Sequence, residues 1–185
     1  AYLPSAGKNK IEHFIFKLFP RYKYVTGTRR VVLQEFGEGG FYGDNAFRAK
    51  YHQLLKGKLK KGETVYYEIV GYINETTPIM GTAKNSKMND KEFTKKYGDT
   101  TTFSYDCQPG QNEMYVYRMT YTSPDGNVIE YPWSLVKRRC EEMGLNYVMD
   151  LDRFIYTTEE DLYERVNKWL DIDDPIGKTH INEGV

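Results

Sequence analysis

Residues 65–72 form a run of apolar and aromatic residues with a single carboxylate, Glu68, near its centre. The composition and length of the run predict one buried β-strand. Because side chains alternate along a strand, Glu68 shares its face with Tyr66 and Val70. An ionised carboxylate in such a place is costly unless hydrogen-bond donors meet it. The run therefore predicts one of two partners for Glu68: an internal Arg or Lys, or a donor-rich ligand such as a ribose. On the strand alone, the internal partner is favoured.

The chain has 185 residues, which is a normal size for one domain with its own core. No stretch approaches the roughly 18 apolar residues that cross a bilayer, and the N-terminus carries no apolar signal segment. Cys107 and Cys140 lie far apart without metal-ligand spacing, which fits a reducing compartment and argues against a zinc site. We therefore expect a monomeric, cytoplasmic protein with no membrane partner.

Charge is distributed unevenly, although the net charge is zero. Residues 1–62 hold 13 Lys and Arg against 4 Asp and Glu, whereas residues 141–185 hold 12 Asp and Glu against 4 Lys and Arg. A basic half is typical of a surface that binds phosphates, and the 17 tyrosines supply rings that can stack on bases. The alternative is a set of solvated charges that pair across the fold, with the tyrosines in ordinary half-buried strands.

Turn, cap and periodicity signals predict strands and helices in an interspersed order. Strands are predicted at residues 22–33, 65–72, 113–122 and 128–131, and helices at residues 45–56, 134–143 and 158–170. Residues 35–40 are predicted to be a flexible Gly-rich connection, and residues 74–112 a long polar region with short elements. The sequence thus predicts an α+β fold of antiparallel β-sheets with flanking helices.

Four short motifs follow one another along the chain: Thr28-Arg29, Tyr66-Tyr67-Glu68-Ile69-Val70-Gly71, Tyr115-Val116-Tyr117-Arg118-Met119 and Asn182-Glu183-Gly184-Val185. In this order they resemble the ATP-dependent RNA ligases of the covalent lysine nucleotidyltransferase superfamily. The resemblance extends over residues 22–185. It implies the nucleotidyltransferase fold of ligase adenylation domains, a single adenylyltransferase domain over residues 1–185, and the cofactors ATP and Mg²⁺.

The resemblance also implies a role for one residue of each motif. Arg29 matches the arginine that contacts the nucleotide or the incoming end, and Glu68 matches the acid that binds the ribose hydroxyls. Tyr117 matches the aromatic residue that stacks on adenine. Glu183 matches the catalytic acid near the divalent metal and the α-phosphate.

The implied reaction joins RNA ends in three steps. A lysine attacks the α-phosphate of ATP to give lysyl-AMP, AMP moves to an RNA 5′-phosphate, and a 3′-hydroxyl then displaces AMP and seals the strand. Mg²⁺ neutralises developing phosphate charge in such steps, and the lysine needs a lowered pKa to act as a nucleophile. The implied partners are ATP and RNA ends with a 5′-phosphate and a 3′-hydroxyl.

The chain departs from the family pattern at several positions. It contains no Lys-x-Asp/Glu/His-Gly motif, and no Lys-x-Lys follows Glu183. The chain begins without Met and stops where an apolar strand starts, so we expect a domain excerpt whose nucleophilic lysine lies upstream. Tyr67 stands where the family has Gly and is expected to crowd the ribose edge. Arg118 stands where the family often has Asp.

Three other interpretations stay open. Lys95 and Gly98 have the spacing of the lysine motif but follow Glu68 in the chain, which favours a helix end capped by glycine. A non-catalytic RNA-binding module would use the basic N-terminal half and the tyrosine-rich strands, and its RNA affinity would depend on salt but not on ATP. A structural domain without a ligand would show neither ATP-induced thermal stabilisation nor RNA binding.

The expected position of the nucleophile gives a first prediction. Incubated with ATP and Mg²⁺, the 185 residues alone gain no AMP adduct in intact-mass spectrometry. A chain extended at both ends is the positive control and is expected to gain the adduct. A covalent AMP on a lysine of the 185-residue chain, such as Lys95, would contradict this prediction.

Overall fold

The computed structural model describes residues 1–5, 8–29, 31–33, 45–170 and 172–183. Its strands in chain order are β1 (Tyr2–Pro4), β2 (Tyr22–Tyr24), β3 (Thr26–Gly27), β4 (Val32–Leu33), β5 (Glu63–Gly71), β6 (Ala83–Lys84), β7 (Thr100–Thr101), β8 (Asn112–Thr122), β9 (Val128–Glu130) and β10 (Asn146–Tyr147). Its helices are α1 (Lys10–Leu18), α2 (Ala46–Leu55), α3 (Lys91–Tyr97), α4 (Trp133–Met143) and α5 (Glu159–Asn167). The described residues thus form an α+β fold, as the sequence predicts. None of these helices has the length and apolar character needed to cross a membrane.

The described chain divides into two compact units, and each unit combines two separate stretches of sequence. Unit 1 consists of Ala1–Glu68 and Met114–Tyr147. Unit 2 consists of Ile69–Glu113 and Val148–Val185. This division does not test the prediction of a single adenylyltransferase domain over residues 1–185, which stays a prediction.

The largest sheet contains four strands in the order β10–β8–β5, with β9 paired to β8. Strand β9 runs antiparallel to β8, whereas β10 runs parallel to it. At one end of the β5–β8 pair, Thr122 N donates to Gly62 O, and at the other end Tyr72 N donates to Gln111 O. Residue numbers therefore increase along β5 in the direction in which they decrease along β8, so the two strands are antiparallel. The predicted antiparallel arrangement holds here, with β10 as the parallel exception.

Three smaller antiparallel pairs join β1 to β2, β3 to β4 and β6 to β7. The prediction of one continuous strand over residues 22–33 is wrong, because the chain reverses between β3 and β4. Thr28 closes this turn: its backbone N donates to Val31 O at 2.8 Å, and its hydroxyl accepts from Val31 N at 3.2 Å. The predicted Gly-rich connection at residues 35–40 lies outside the described residues.

Local cap signals set the ends of the predicted helices. Helix α4 ends at Gly144, which has a left-handed φ of 65°. Helix α5 begins after Thr158, whose hydroxyl accepts from Asp161 N at 3.2 Å, as the capping spacing predicts. Helix α3 ends at Gly98, so the segment around Lys95 is the glycine-capped helix end that the sequence favours. Helix α1 was not predicted.

The core of unit 1 draws on the main sheet and on helices α2 and α4. The α2 residue Tyr51 and the β5 residue Tyr67 bring their ring centroids to 6.4 Å. The most buried apolar side chains of this unit are Phe47, Tyr51, Leu55, Leu59, Val65, Met114, Val116, Met119, Val136, Cys140, Met143 and Leu145.

A buried ion pair joins the first residue of β5 to α4. Glu63 is 0% exposed and Arg139 is 5% exposed. Arg139 donates from Nε to Glu63 Oε1 and from Nη2 to Glu63 Oε2, both at 2.8 Å. Lys60 N and the Tyr131 hydroxyl also donate to this carboxylate, at 2.7 and 3.3 Å. The hydrogen bonds to Glu63 raise the pKa of Arg139, and the bidentate geometry fixes the start of β5 against the helix.

This buried pair generates a stability prediction. Arg139→Gln leaves the buried Glu63 carboxylate without a cation, and Glu63→Gln leaves the buried Arg139 with only the exposed carboxylate of Glu142 as an anionic partner. We therefore expect each change to lower the free energy of unfolding by about 3 kcal/mol or more. Arg138 is the matched control, because it is the preceding residue on α4, its side chain is exposed and its Nε lies 3.8 Å from Glu142. We expect Arg138→Gln to cost about 1 kcal/mol or less. Urea unfolding measures all three variants, and equal small losses would contradict the account.

Candidate nucleotide site

Strand β5 carries Glu68 on the face that it shares with the half-buried Tyr66 and the buried Val70. Glu63, Val65 and Ile69 are buried on one face of the strand, whereas Glu68 points to the other face and is exposed. The prediction that Glu68 lies in a buried environment is therefore wrong, and the buried acid of this strand is Glu63. The internal partner of Glu68 was predicted because burial of its carboxylate would be costly, and an exposed carboxylate does not carry this cost.

Tyr67, which was expected to crowd the ribose edge, lies on the opposite face of β5 from Glu68. Its half-buried ring packs towards Tyr51 of α2. Burial raises the pKa of the Tyr67 hydroxyl, as expected for a phenol removed from water. Tyr67 therefore leaves the surface around Glu68 open, contrary to the expectation.

Strand β8, which lies next to β5, presents Tyr117. The Tyr117 side chain is 44% exposed, while the preceding residue Val116 is fully buried. Partial burial raises the pKa of Tyr117, and the negative charge of Glu68 raises it further. Glu68 and Tyr117 lie on paired neighbouring strands, within range of this electrostatic interaction. The structure thus brings together the acid and the ring to which the resemblance assigns the two halves of adenosine.

Strict side-chain alternation along β8 would place Tyr115, Tyr117, Met119 and Tyr121 on one face, and the structure departs from it. Tyr117 and Arg118 are both exposed, whereas Met119 and Thr120 are both buried. Alternation is therefore interrupted between Arg118 and Met119. Met119 belongs to the core and not to the surface that carries Tyr117.

Two contacts fix the position of Arg118, the residue that follows Tyr117 on β8. Its Nε and Nη2 donate to the two carboxylate oxygens of Glu130, both at 2.7 Å, and its guanidinium lies 4.7 Å from the centre of the Tyr66 ring. The hydrogen bonds with Glu130 raise the pKa of Arg118 and lower that of Glu130. Much of the charge of Arg118 is therefore directed to Glu130. We call Tyr66, Glu68, Tyr117 and Arg118 the β5–β8 patch.

Arg29 lies in the turn between β3 and β4 and is exposed. The prediction that it lies on a strand is wrong, because Thr28 and Val31 close the chain into a hairpin at this point. Arg30, the second arginine of the motif, lies outside the described residues. Arg29 belongs to unit 1 with Glu68 and Tyr117, and its role at the nucleotide or the incoming end stays a prediction.

Glu183 belongs to unit 2, where its carboxylate accepts a hydrogen bond from the Tyr105 hydroxyl. Within the described ranges, no group of three or more His, Cys, Asp and Glu side chains is placed to hold a metal ion. Mg²⁺ is commonly held through one or two carboxylates together with substrate phosphates, so the single exposed carboxylate of Glu183 suits this mode. Its metal role stays a prediction.

Two aspartates that follow α5 lie in different environments. Asp174 is buried, and its Oδ1 accepts from Ile176 N and Gly177 N at 2.8 and 2.7 Å. Asp173 is exposed and lies 3.0 Å from Lys96 Nζ. Asp174 therefore shapes a turn in unit 2.

Comparisons with protein-family models, with curated proteins and with solved structures found no match to this chain. The order of the four motifs and the placement of their side chains are therefore the features of the chain that bear on its function. Among these side chains, Glu68 and Tyr117 are brought together within one unit.

The coupling of these two residues gives a prediction. Glu68→Gln lowers the pKa of Tyr117 because a neighbouring negative charge is removed, while partial burial keeps the pKa above the ordinary tyrosine value. Glu141→Gln is the control: the Glu141 carboxylate accepts from the Tyr147 hydroxyl at 3.2 Å, so this change lowers the pKa of Tyr147 instead. NMR titration of ¹³C-labelled tyrosine measures both values. An unchanged Tyr117 titration in Glu68→Gln would contradict their proximity.

Proposed function

We propose that the chain acts as the adenylyltransferase domain of an ATP-dependent RNA ligase and that the β5–β8 patch binds the adenosine of ATP. The proximity of Glu68 and Tyr117 on an exposed sheet surface carries this proposal. A ribose offers two hydroxyl donors, and a carboxylate accepts such bonds strongly because it is charged. Adenine offers a flat face, and a partly exposed phenol ring can stack on it. The proposed fold is accordingly that of ligase adenylation domains.

The surroundings of the patch support an ordered binding surface. Glu130 holds the Arg118 guanidinium against the Tyr66 ring, and Tyr66 shares the outer face of β5 with Glu68 by strand alternation. The sheet itself is a rigid element, which favours a well-defined position for Glu68 and Tyr117. Arg118, which replaces the usual Asp of the motif, thus acts in the proposal as a support for Tyr66.

In the proposed reaction, each of the predicted residues has one task. Glu68 orients the ribose, Tyr117 orients the base, and Arg29 meets the nucleotide or the incoming RNA end. Mg²⁺ bound with the help of Glu183 would neutralise charge at the α-phosphate. A lysine outside the described motifs would take AMP from ATP with release of pyrophosphate and pass it to a 5′-phosphorylated RNA end. A 3′-hydroxyl would then attack that end, release AMP and seal the strand.

Isothermal titration of the chain with ATP tests the proposal through two substitutions. Tyr117→Ala is expected to weaken ATP binding about tenfold or more, because base–aromatic stacking contributes about 1–3 kcal/mol, whereas Tyr117→Phe keeps the stacking ring. Glu68→Gln is expected to weaken ATP binding about tenfold, since hydrogen bonds to charged groups contribute about 1.5–3 kcal/mol.

A modified nucleotide assigns the Glu68 effect to the ribose. Wild-type protein is expected to bind 2′,3′-dideoxy-ATP more weakly than ATP, whereas Glu68→Gln binds the two with similar affinity. Tyr163, an exposed α5 tyrosine, gives the control variant Tyr163→Ala, which keeps the wild-type affinity. The proposal is contradicted by an absence of ATP binding, or by equal affinities of wild type, Glu68→Gln and Tyr117→Ala.

The second candidate is the non-catalytic RNA-binding module, and the β1–β2 tyrosines favour it. Tyr2 stacks on Tyr24 with ring centroids 4.3 Å apart, and the Lys61 ammonium lies 5.4 Å from the centre of the Tyr22 ring. Rings interleaved with cations are typical of single-strand binding surfaces. This candidate predicts RNA affinity that falls steeply with salt and is unaffected by ATP or by Glu68→Gln.

A further inference from the structure

The turn that contacts Glu183 has two consecutive residues in a left-handed backbone conformation. Tyr105 has a φ of 51° and Asp106 a φ of 59°, and Cys107 N donates to Ser104 O at 3.0 Å across the turn. Positive φ at both central positions normally requires Gly, Asn or Asp. A tyrosine in this conformation is strained, because its Cβ lies too close to the following carbonyl oxygen. Such a turn persists only where other contacts hold it.

His180 provides the first of these contacts. Its ring is 5% exposed, and Tyr105 N donates to its Nε2 at 3.3 Å. Because a backbone nitrogen can only donate, Nε2 is the acceptor and the ring proton lies on Nδ1, which donates to Ile181 O at 2.8 Å. The rings of Phe103 and Tyr105 meet the imidazole edge-on, with centroids at 5.2 and 4.9 Å.

Thr179 provides the second contact, because its hydroxyl donates to Asp106 Oδ1 at 2.9 Å. The loop that carries Thr179 and His180 is itself closed by Asp174, whose backbone N donates to His180 O at 2.9 Å. A Cβ atom at Gly177 would collide with the His180 ring, so this position requires glycine. The two segments, 75 residues apart in the chain, are thus fitted to each other.

We propose that Tyr105 is a positioning residue for Glu183, and that His180 and Thr179 hold Tyr105 in the strained turn which this task requires. The Tyr105 hydroxyl donates to Oε2 of Glu183. This bond restricts the rotation of an exposed carboxylate while its second oxygen can bind a cation. A ligand carboxylate oriented in this way loses less entropy on binding. The inference depends on the proposed function, in which Glu183 contributes to the Mg²⁺ site.

The test uses Mn²⁺ with ATP as the probe, followed by the relaxation rate of water protons, which reports bound Mn²⁺ without requiring catalysis. Tyr105→Phe removes only the hydroxyl and is expected to weaken binding of the Mn²⁺–ATP complex several-fold to about tenfold. Tyr97→Phe is the matched control, because Tyr97 also donates to a carboxylate of unit 2, that of Asp173 at 3.0 Å. It is expected to leave binding unchanged.

A double substitution separates positioning from a general structural role. If Tyr105 acts through Glu183, Tyr105→Phe has no further effect once Glu183→Gln is present. Thr179→Val removes the hydrogen bond to Asp106 in the same turn. It is therefore expected to weaken binding of the complex in protein that keeps Glu183, and to have no further effect in Glu183→Gln. Thermal melts of each variant establish the temperature range in which the protein is folded.

The outcomes distinguish the inference from the function on which it depends. The positioning role is overturned if Glu183→Gln weakens binding of the complex while Tyr105→Phe and Thr179→Val do not. It is also overturned if Tyr105→Phe weakens binding equally with and without Glu183→Gln. In both cases the metal role of Glu183 stands. If Glu183→Gln leaves binding unchanged, the metal role falls and the inference falls with it. If wild-type protein does not bind the complex, the proposed function itself is overturned.

Discussion

The buried pair of Glu63 and Arg139 determines which side of β5 faces outward. Glu63 is anchored on the buried face by both guanidinium bonds and by Lys60 N. Because Glu68 comes five residues later, an odd number of steps, it emerges on the opposite face. A slip of one residue would exchange the two faces and bury Glu68. The position of the candidate site therefore follows from a polar contact in the core of unit 1.

Features encoded by neighbouring residues could be predicted, whereas those that depend on distant partners could not. The Thr158 cap and the Gly144 helix end involve residues within four positions of each other, so the sequence alone indicates them. The buried ion pair of Glu63 joins residues 76 positions apart. The apolar run around Glu68 suggested the wrong buried acid, since burial of an acid depends on where its partner lies in the fold.

The candidate site shows the same limit. The face of β5 that carries Glu68 could be inferred from alternation within a long strand, whereas a common site with Tyr117 was implied only by the order of the motifs. The partner of Glu183 could not be inferred, since Tyr105 lies in a turn that only tertiary contacts hold. In both units an exposed acid lies near a buried contact that no local pattern indicates: Arg139 fixes the strand that carries Glu68, and His180 holds the turn that contacts Glu183.

The central claim is that Tyr117 and Glu68 hold one adenosine. Nuclear Overhauser effects between bound ATP and selectively labelled tyrosine rings test it most directly, because they report distances from the nucleotide to individual side chains. The account predicts contacts from the adenine protons to the Tyr117 ring, and their loss in Tyr117→Ala. Adenine contacts to the β1–β2 tyrosines instead, with none to Tyr117, would contradict it.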